Sequence, residues 1–320
     1  MARIVRPRAY GGSDVLTVQE VDVPTPAAGE VVIRVRAAGV NPLDWKLYSG
    51  AFHDVDEDEK NAAGLAESLP SLGMDCAGVV TAVGPGVENA AIGDEVIVYP
   101  VTAAYADYVT AAASALIPKP DGLSWEQAGG LMLAGLTALH SIHAAGVQAG
   151  DTVLIHGGAG GVGLMAVQLA TNIGASVVAT AAERNHDLLR ELGATPVVYG
   201  NGLADRVRAA APHGVTAAID AAGSDEALDV SLELVADPAR IASITGSDRR
   251  LGTGIKLLGY GPGQDAGTEY RSSVRSHLAE LAGAGHVRVT VAKSFPLADA
   301  AQAHEFGQSG RGTGKIILLP

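Results

Sequence analysis

The stretch "VLIHGGAGGVGLMAVQLA" (153–170) puts five glycines into the seven residues 157–163, between an apolar run and an amphipathic helical pattern. Glycine weakens both strands and helices, so its density here needs a backbone reason. "GAGGVG" fits G-x-G-x-x-G at Gly158, Gly160 and Gly163, and a second apolar run, "SVVAT", follows the helical pattern. In a strand–turn–helix–strand setting such glycines permit the tight turn. They also let main-chain N–H groups approach a diphosphate at the positive end of a helix. A dinucleotide on Gly158, Ala159, Gly160, Gly161, Val162 and Gly163 is therefore expected; the alternative is a tight turn with no ligand.

The end of the second strand bears on which dinucleotide. NAD readers place Asp or Glu there for the ribose diol. This strand ends at Thr180 and continues with Ala181 and Ala182; Glu183 comes late, and Arg184 follows it. A guanidinium suits a 2′-phosphate, so NADPH is expected, with Thr180, Asn185 and Tyr199 as helpers. The alternative for Arg184 is a surface helix residue.

Working outward, the chain after Gly150 alternates apolar runs with helical patterns. Strands are expected at about 152–156, 176–180, 196–199, 215–220, 240–245 and 255–260. Helices are expected at 161–173, 183–192, 203–211 and 225–236, with one more over "TEYRSSVRSHLAELAGAG". This alternation predicts a doubly wound parallel sheet with helices on both faces. Ligands then face the strand carboxyl ends, which nominates Ala221 and Ala222 after the fourth strand and Ile244 and Thr245 after the fifth. Toward the N-terminus, "EVVIRVRAAGV", "CAGVVTAVGPGV", "GDEVIVYP" and "AYADYVTA" read as short strands of a barrel-like β domain. Asp121 or Ser124 caps the first helix, and Ser124 to Gln127 fits a capping box. The tail, "VRVTVAKSFPLADAAQAHEFGQSGRGTGKIILLP", reads strand, helix, strand and returns to the β domain. The division expected is 1–122 with 287–320, and 123–286.

The chain has 320 residues, a formal charge of −13, 48% hydrophobic and 18% charged residues, which describes an ordinary two-domain globular protein. Its acidic balance, with no Lys/Arg cluster, argues against nucleic acid. The single cysteine, Cys76, excludes an intrachain disulfide and an all-cysteine metal site. The N-terminal "MARIVRPRAYGG" has no apolar core of signal-peptide length, and no run of about eighteen apolar residues occurs. A cytoplasmic protein with no membrane partner is expected.

These stretches together resemble one family. "AAGVNPLDWKLYSG" (37–50), "GMDCAGVVTAVGPGV" (73–87), "GDEVIVY" (93–99), "GLTALHSI" (135–142), "HGGAGGVG" (156–163) and "GTGKIILL" (312–319) are similar to zinc-independent medium-chain dehydrogenases/reductases of the quinone oxidoreductase and enone reductase branch. The resemblance implies a GroES-like β-barrel domain, a Rossmann domain of strand order 3-2-1-4-5-6, a cleft between them, and a homodimer. Zinc-dependent relatives carry cysteine where this chain has Asn41, and Gly-His-Glu where it has "GMD". Asn41 and Asp75 do not supply the thiolate or imidazole ligands of such a site, so no metal is expected. Cys76 is expected to be a small buried residue.

The function implied is metal-free hydride transfer from NADPH to a quinone or an α,β-unsaturated carbonyl. The alternative is an NADPH-binding sensor or structural relative with little catalysis. Many relatives have tyrosine at position 46, whereas "NPLDWK" resembles enone reductases whose lysine meets the substrate carbonyl. Lys46, Asn41 and Tyr48 are therefore the catalytic candidates: Lys46 for the developing oxyanion, Tyr48 or solvent for the proton. Asn41 and Thr137 are also expected beside the nicotinamide. A solvated lysine and a helix-packing threonine are the alternatives for Lys46 and Thr137. "DVDEDE" after His53 lacks the glycine and final glutamate of a calcium loop, and 51–70 is expected to be a mobile surface loop that could act as a lid. His140 and His143, spaced i, i+3, are expected to be exposed or packing histidines rather than metal ligands.

Overall fold

The computed structural model describes residues 1–51, 69–246, 248–261 and 263–320. The acidic run 53–59 and the bulk of the expected lid lie outside the described residues. Two compact units form. One comprises Met1–Leu133, Arg275–Ala284 and Val289–Pro320; the other comprises Ala134–Val274 and Gly285–Arg288.

The first unit is built on strands. β1 (Ala2–Pro7) and β2 (Leu16–Val21) make an antiparallel pair. β3 (Glu30–Val40), β4 (Cys76–Val83), β5 (Glu95–Val98), β6 (Tyr108–Ala112) and β7 (Leu116–Pro118) follow in sequence. The tail adds β14 (Val291–Pro296) and β15 (Lys315–Leu319), giving the order β14-β15-β3-β4-β5-β7 with β6 on β3. The core gathers Ile33, Tyr48, Leu72, Cys76, Tyr105, Phe295 and Leu318. "EVVIRVRAAGV" is a single strand, and the returning tail pairs with it at Ile316↔Val40.

The second unit carries β8 (Thr152–His156), β9 (Ser176–Thr180), β10 (Ala194–Val197), β11 (Ala217–Asp220), β12 (Ile241–Ser243) and β13 (Lys256–Leu257). They form one parallel sheet in the order β10-β9-β8-β11-β12-β13, which is 3-2-1-4-5-6 by position. The strands are buried runs flanked by helices, as a parallel sheet covered on both faces requires. One core cluster gathers Leu154, Val178, Leu203, Val207, Ala218 and Ile241.

Several local readings shift. The division falls at Leu133/Ala134, because the helix Trp125–Gly129 lies on β3; a side chain at Gly129 would meet Ala37 Cβ at 2.9 Å. Its cap is Ser124, with Gln127 completing the box. "TEYRSSVRSHLAELAGAG" holds two helices, Thr268–Ser273 and Arg275–Gly283, because Val274 leaves helical geometry at φ −105°, ψ 4°. The second sits with the β unit, where Arg275 donates to the carbonyls of Tyr99 (2.6 Å) and Ser114 (3.1 Å). The strand expected at 255–260 stops at Leu257. There the chain folds back, with Asp265 N–H on Leu257 O and Gly259 N–H on Asp265 O. Over 183–192 a 3-10 turn, Glu183–Asn185, precedes a shorter helix, His186–Glu191.

Candidate active site

The glycine loop leaves β8 at His156 and enters the helix Gly161–Asn172. Gly157 has φ +71°, where a side chain is strained. Its N–H donates to Thr180 Oγ1 (3.1 Å), and Gly158 N–H donates to Thr180 O (2.9 Å). Thr180 therefore fastens the loop to the end of β9. A side chain at Gly163 would run into the Gly157 carbonyl, so this glycine brings the helix onto the turn. Gly160 is the N-cap and supplies no side-chain hydrogen bond. The helix thus opens with main-chain donors and no side-chain cap, the arrangement that receives an anion. Ala159 is nearly buried and Gly160 exposed.

At the end of β9 no carboxylate follows Thr180. Glu183 and Arg184 are exposed, Asn185 is buried, and Tyr199 is 56% exposed beyond β10. The Arg184 side chain makes no hydrogen bond or ion pair among the described residues. Ala221 and Ala222 follow β11, and Ile244 and Thr245 follow β12, all at strand carboxyl ends. Thr137 lies half-buried inside the helix Met132–Ala144, where its carbonyl accepts from Ser141 Oγ at 2.8 Å. The loops after β11 and β12 share a residue that sequence reading missed: Arg250, buried against Asp220 at 2.7 Å.

In the β unit, Asn41 precedes the helix Pro42–Tyr48, and its N–H donates to Asp44 Oδ2 at 2.9 Å. The Asn41 side chain is 4% exposed and committed. Nδ2 donates to Asp75 Oδ1 (2.9 Å) and Gly39 O (3.2 Å), and Oδ1 accepts from Lys315 Nζ. Asp75 Oδ2 accepts Leu133 N–H at 3.0 Å.

Below Asn41 runs a buried polar chain. Tyr105 has one hydroxyl proton and donates it to Asp44 Oδ2 (2.8 Å), so its oxygen accepts from His304 Nε2–H (3.2 Å). His304 Nδ1 then holds a lone pair and accepts the Tyr48 hydroxyl at 2.8 Å. Burial pushes Asp44 up to about 6, against the hydrogen bonds from Gly73, Tyr105 and Asn41. It lifts Tyr48 to about 12, raises Tyr105 well above its usual range, and lowers His304 to about 4. Tyr48 is 1% exposed. Tyr48, expected with solvent as a proton source, has its hydroxyl on His304: Asp44 and Tyr48, i and i+4, turn inward together, while Lys46 is exposed. The Lys46 ammonium makes no hydrogen bond or ion pair among the described residues.

His304, Tyr105 and Lys315 were not singled out from sequence. Asp44/Tyr48 spacing was the local signal for an inward polar face; nothing local marks His304, which lies 256 residues from Tyr48. The pair at i, i+3 is used for packing: His140 Nε2 meets Asp265 Oδ2 at 3.1 Å, and His143 stacks on Tyr270 at 4.1 Å between centroids.

The described residues hold no seat for zinc. Among the described residues no three of His, Cys, Asp and Glu gather as a ligand set. Asn41 is tied to Asp75 and Lys315, and burial raises the Cys76 thiol, disfavouring the thiolate. A nicotinamide dinucleotide does fit the second unit: the helix Gly161–Asn172 opens at Gly160 with no side-chain cap, and the turn before it is so tight that side chains at Gly157, Gly158 or Gly163 would press on neighbouring main chain or Ala179.

Comparison with known proteins agrees with this layout. Residues 27–138 match the family model "Alcohol dehydrogenase GroES-like domain", and 192–318 match "Zinc-binding dehydrogenase". The mouse quinone oxidoreductase is 31% identical, over 100% of this chain and 98% of that one. The Escherichia coli quinone oxidoreductase complexed with NADPH superposes with a TM-score of 0.84 at 26% identity, over 100% of both chains. CurK enoyl reductase gives 0.84 at 26% identity, over 99% of both. With a GroES-like β unit, a Rossmann sheet and full-length kinship, the chain belongs to the medium-chain dehydrogenase/reductase family, in its quinone oxidoreductase branch.

Proposed function

We propose that the protein is an NADPH-dependent, metal-free reductase of quinones or α,β-unsaturated carbonyls. The observation that carries the reading is the glycine cradle at an uncapped helix N-terminus, with exposed Arg184 where an NAD reader would hold a carboxylate. In this reading the main-chain N–H groups of 159–163 bind the diphosphate, and the Arg184 guanidinium binds the 2′-phosphate beside Tyr199. Thr180 acts by fixing Gly157. Thr137, Ala221, Ala222, Ile244 and Thr245 line the nicotinamide half. When bound, NADPH supplies the hydride. The chain's task is then to stabilise charge on the acceptor oxygen. Lys46 is the donor proposed for it, since its ammonium has no competing partner among the described residues. Asn41 acts through its position, being spent on Asp75 and Lys315. Solvent supplies the proton, because the Tyr48 hydroxyl is buried on His304. The family's homodimer and a cytoplasmic location complete the proposal.

The test is loss of NADPH absorbance over a panel of quinones and enones, for the protein and Lys46→Ala. Turnover is expected, with kcat/KM lowered about a hundredfold or more in the variant, the scale for losing one oxyanion donor. NADPH binding without turnover of any acceptor overturns the proposal in favour of a sensor. Undiminished turnover by the variant removes Lys46 from it.

A further inference from the structure

The loops that follow β8, β11 and β12 meet at one buried ion pair. The side chains of Asp220 and Arg250 are 2% and 1% exposed, with Arg250 Nη2 at 2.7 Å from Asp220 Oδ2. Asp220 ends β11, and in the register it lies beside His156 of β8 and Ser243 of β12. Its Oδ1 accepts the N–H groups of Ala222 (3.0 Å) and Gly223 (2.8 Å). Its Oδ2 accepts the Ser243 hydroxyl at 3.0 Å, and that same oxygen of Ser243 takes the N–H of Thr245 at 3.3 Å. Arg250 Nη2 also donates to Ser224 O at 3.0 Å. The glycine loop rests on this assembly, since a side chain at Gly157 would lie 3.0 Å from the Ala221 carbonyl carbon and 3.2 Å from Ala222 N.

We infer that Arg250 is a positioning residue: by pinning Asp220 it presets the peptide groups of 221–224 and 244–245 against the nicotinamide half of the cofactor. The inference rests on the NADPH-reductase reading above. Its physical basis is the position of the pair. Ligands of such sheets bind outside the strand carboxyl ends, where these loops begin. One carboxylate with donors from both loops and a guanidinium allows neither loop to move alone. A buried charge left without its partner is costly, so the two ions hold each other as well. Hydride transfer is sensitive to placement on the scale of 1 Å, whereas affinity comes largely from the diphosphate.

Arg250→Lys keeps the charge and loses the planar fork. It is expected to fold, to bind NADPH with a dissociation constant changed by less than about threefold, and to lose about tenfold or more in kcat. The primary isotope effect with NADPH deuterated at the transferring position is expected to rise, a readout that mere loss of folded protein does not move. The double variant Arg250→Met/Asp220→Asn removes both charges and should regain stability without regaining kcat. Unchanged kcat and isotope effect in folded Arg250→Lys overturn the inference; so does full recovery of kcat in the double variant. If the unaltered protein turns over none of the quinones and enones with NADPH, the functional reading fails and the inference falls with it. If it reduces one of them and only the variants depart from expectation, the inference alone fails.

Discussion

Lys315 donates its ammonium to the side-chain oxygen of Asn41, and the same carboxamide donates through Nδ2 to Asp75 at 2.9 Å. One amide thus stands between a buried cation and a buried anion, with Lys315 also on Val40 O at 3.0 Å. Burial lowers the Lys315 ammonium, while Asp75 and Asp44 work to keep it charged. Lys315→Met keeps the stem and removes the cation, leaving both carboxylates without it. The expected cost is about 3–5 kcal/mol in urea unfolding, the scale for stripping one partner from a buried charge set. A loss under about 1 kcal/mol would show that Asn41 holds its place without the lysine.

Tyr48 separates a structural from a chemical role for the helix 42–48. Tyr48→Phe leaves the His304 Nδ1 lone pair without its donor, at a cost of about 1–3 kcal/mol in stability. Turnover per folded molecule is expected to stay within about twofold. A general acid would instead lose a hundredfold or more. Such a loss, with the melting curve unmoved, would restore the tyrosine to the chemistry.

Buried titratable groups in both units set a pH dependence. His304 and His156 are lowered by burial to about 4 from 6.5. Each therefore contributes stability that is complete above 6.5 and lost as pH falls toward 4, where the unfolded chain takes up the proton first. Asp44 runs the other way. Burial raises it to about 6 from 3.8, so its contribution is complete below 3.8 and lost as pH rises through 6. Between pH 4 and 6 the aspartate offsets part of the histidine effect. Asp44→Asn should therefore lose stability more steeply on acidification over this window, by about one proton in the slope of unfolding free energy against pH. An unchanged slope would mean that Asp44 is ionised throughout.

Local rules made much of the second unit readable. Strand, glycine turn, helix and strand are each encoded within a few residues, and β8 and β9 fall where the apolar runs lie. The capping box at Ser124 is local as well. What stayed hidden joins distant parts of the chain. Asp220 and Arg250 lie 30 residues apart, and Lys315 reaches Asn41 across 274. No periodicity announces such pairs, because each residue taken alone reads as a strand-end acid, a loop arginine or a tail lysine. The inward turn of Tyr48 was hidden for a different reason. The motif that names the position says nothing of which helix face turns inward, although Asp44 at i−4 carried that information. The end of β13 was misjudged because the chain turns back on itself through Asp265, a tertiary pairing that outweighs the apolar run.

Arg184 offers the sharpest check of cofactor choice. The guanidinium is exposed just past β9, on a strand end without a carboxylate, and has no competing partner among the described residues. A 2′-phosphate is the only part of NADPH that NADH lacks, so an arginine serving it acts on one coenzyme and not the other. A hydrogen bond to a charged group is worth about 1.5–3 kcal/mol. Arg184→Ala should therefore raise the KM for NADPH about tenfold to a hundredfold while leaving that for NADH within about twofold. Kcat with NADPH at saturation should hold, because the ribose phosphate is remote from the transferring hydride. Parallel titrations of the variant with both coenzymes decide it. Equal weakening of the two would mean that the arginine holds the fold of the 183–185 turn rather than the phosphate. No weakening of either would place the 2′-phosphate elsewhere, with Tyr199 the next side chain to replace.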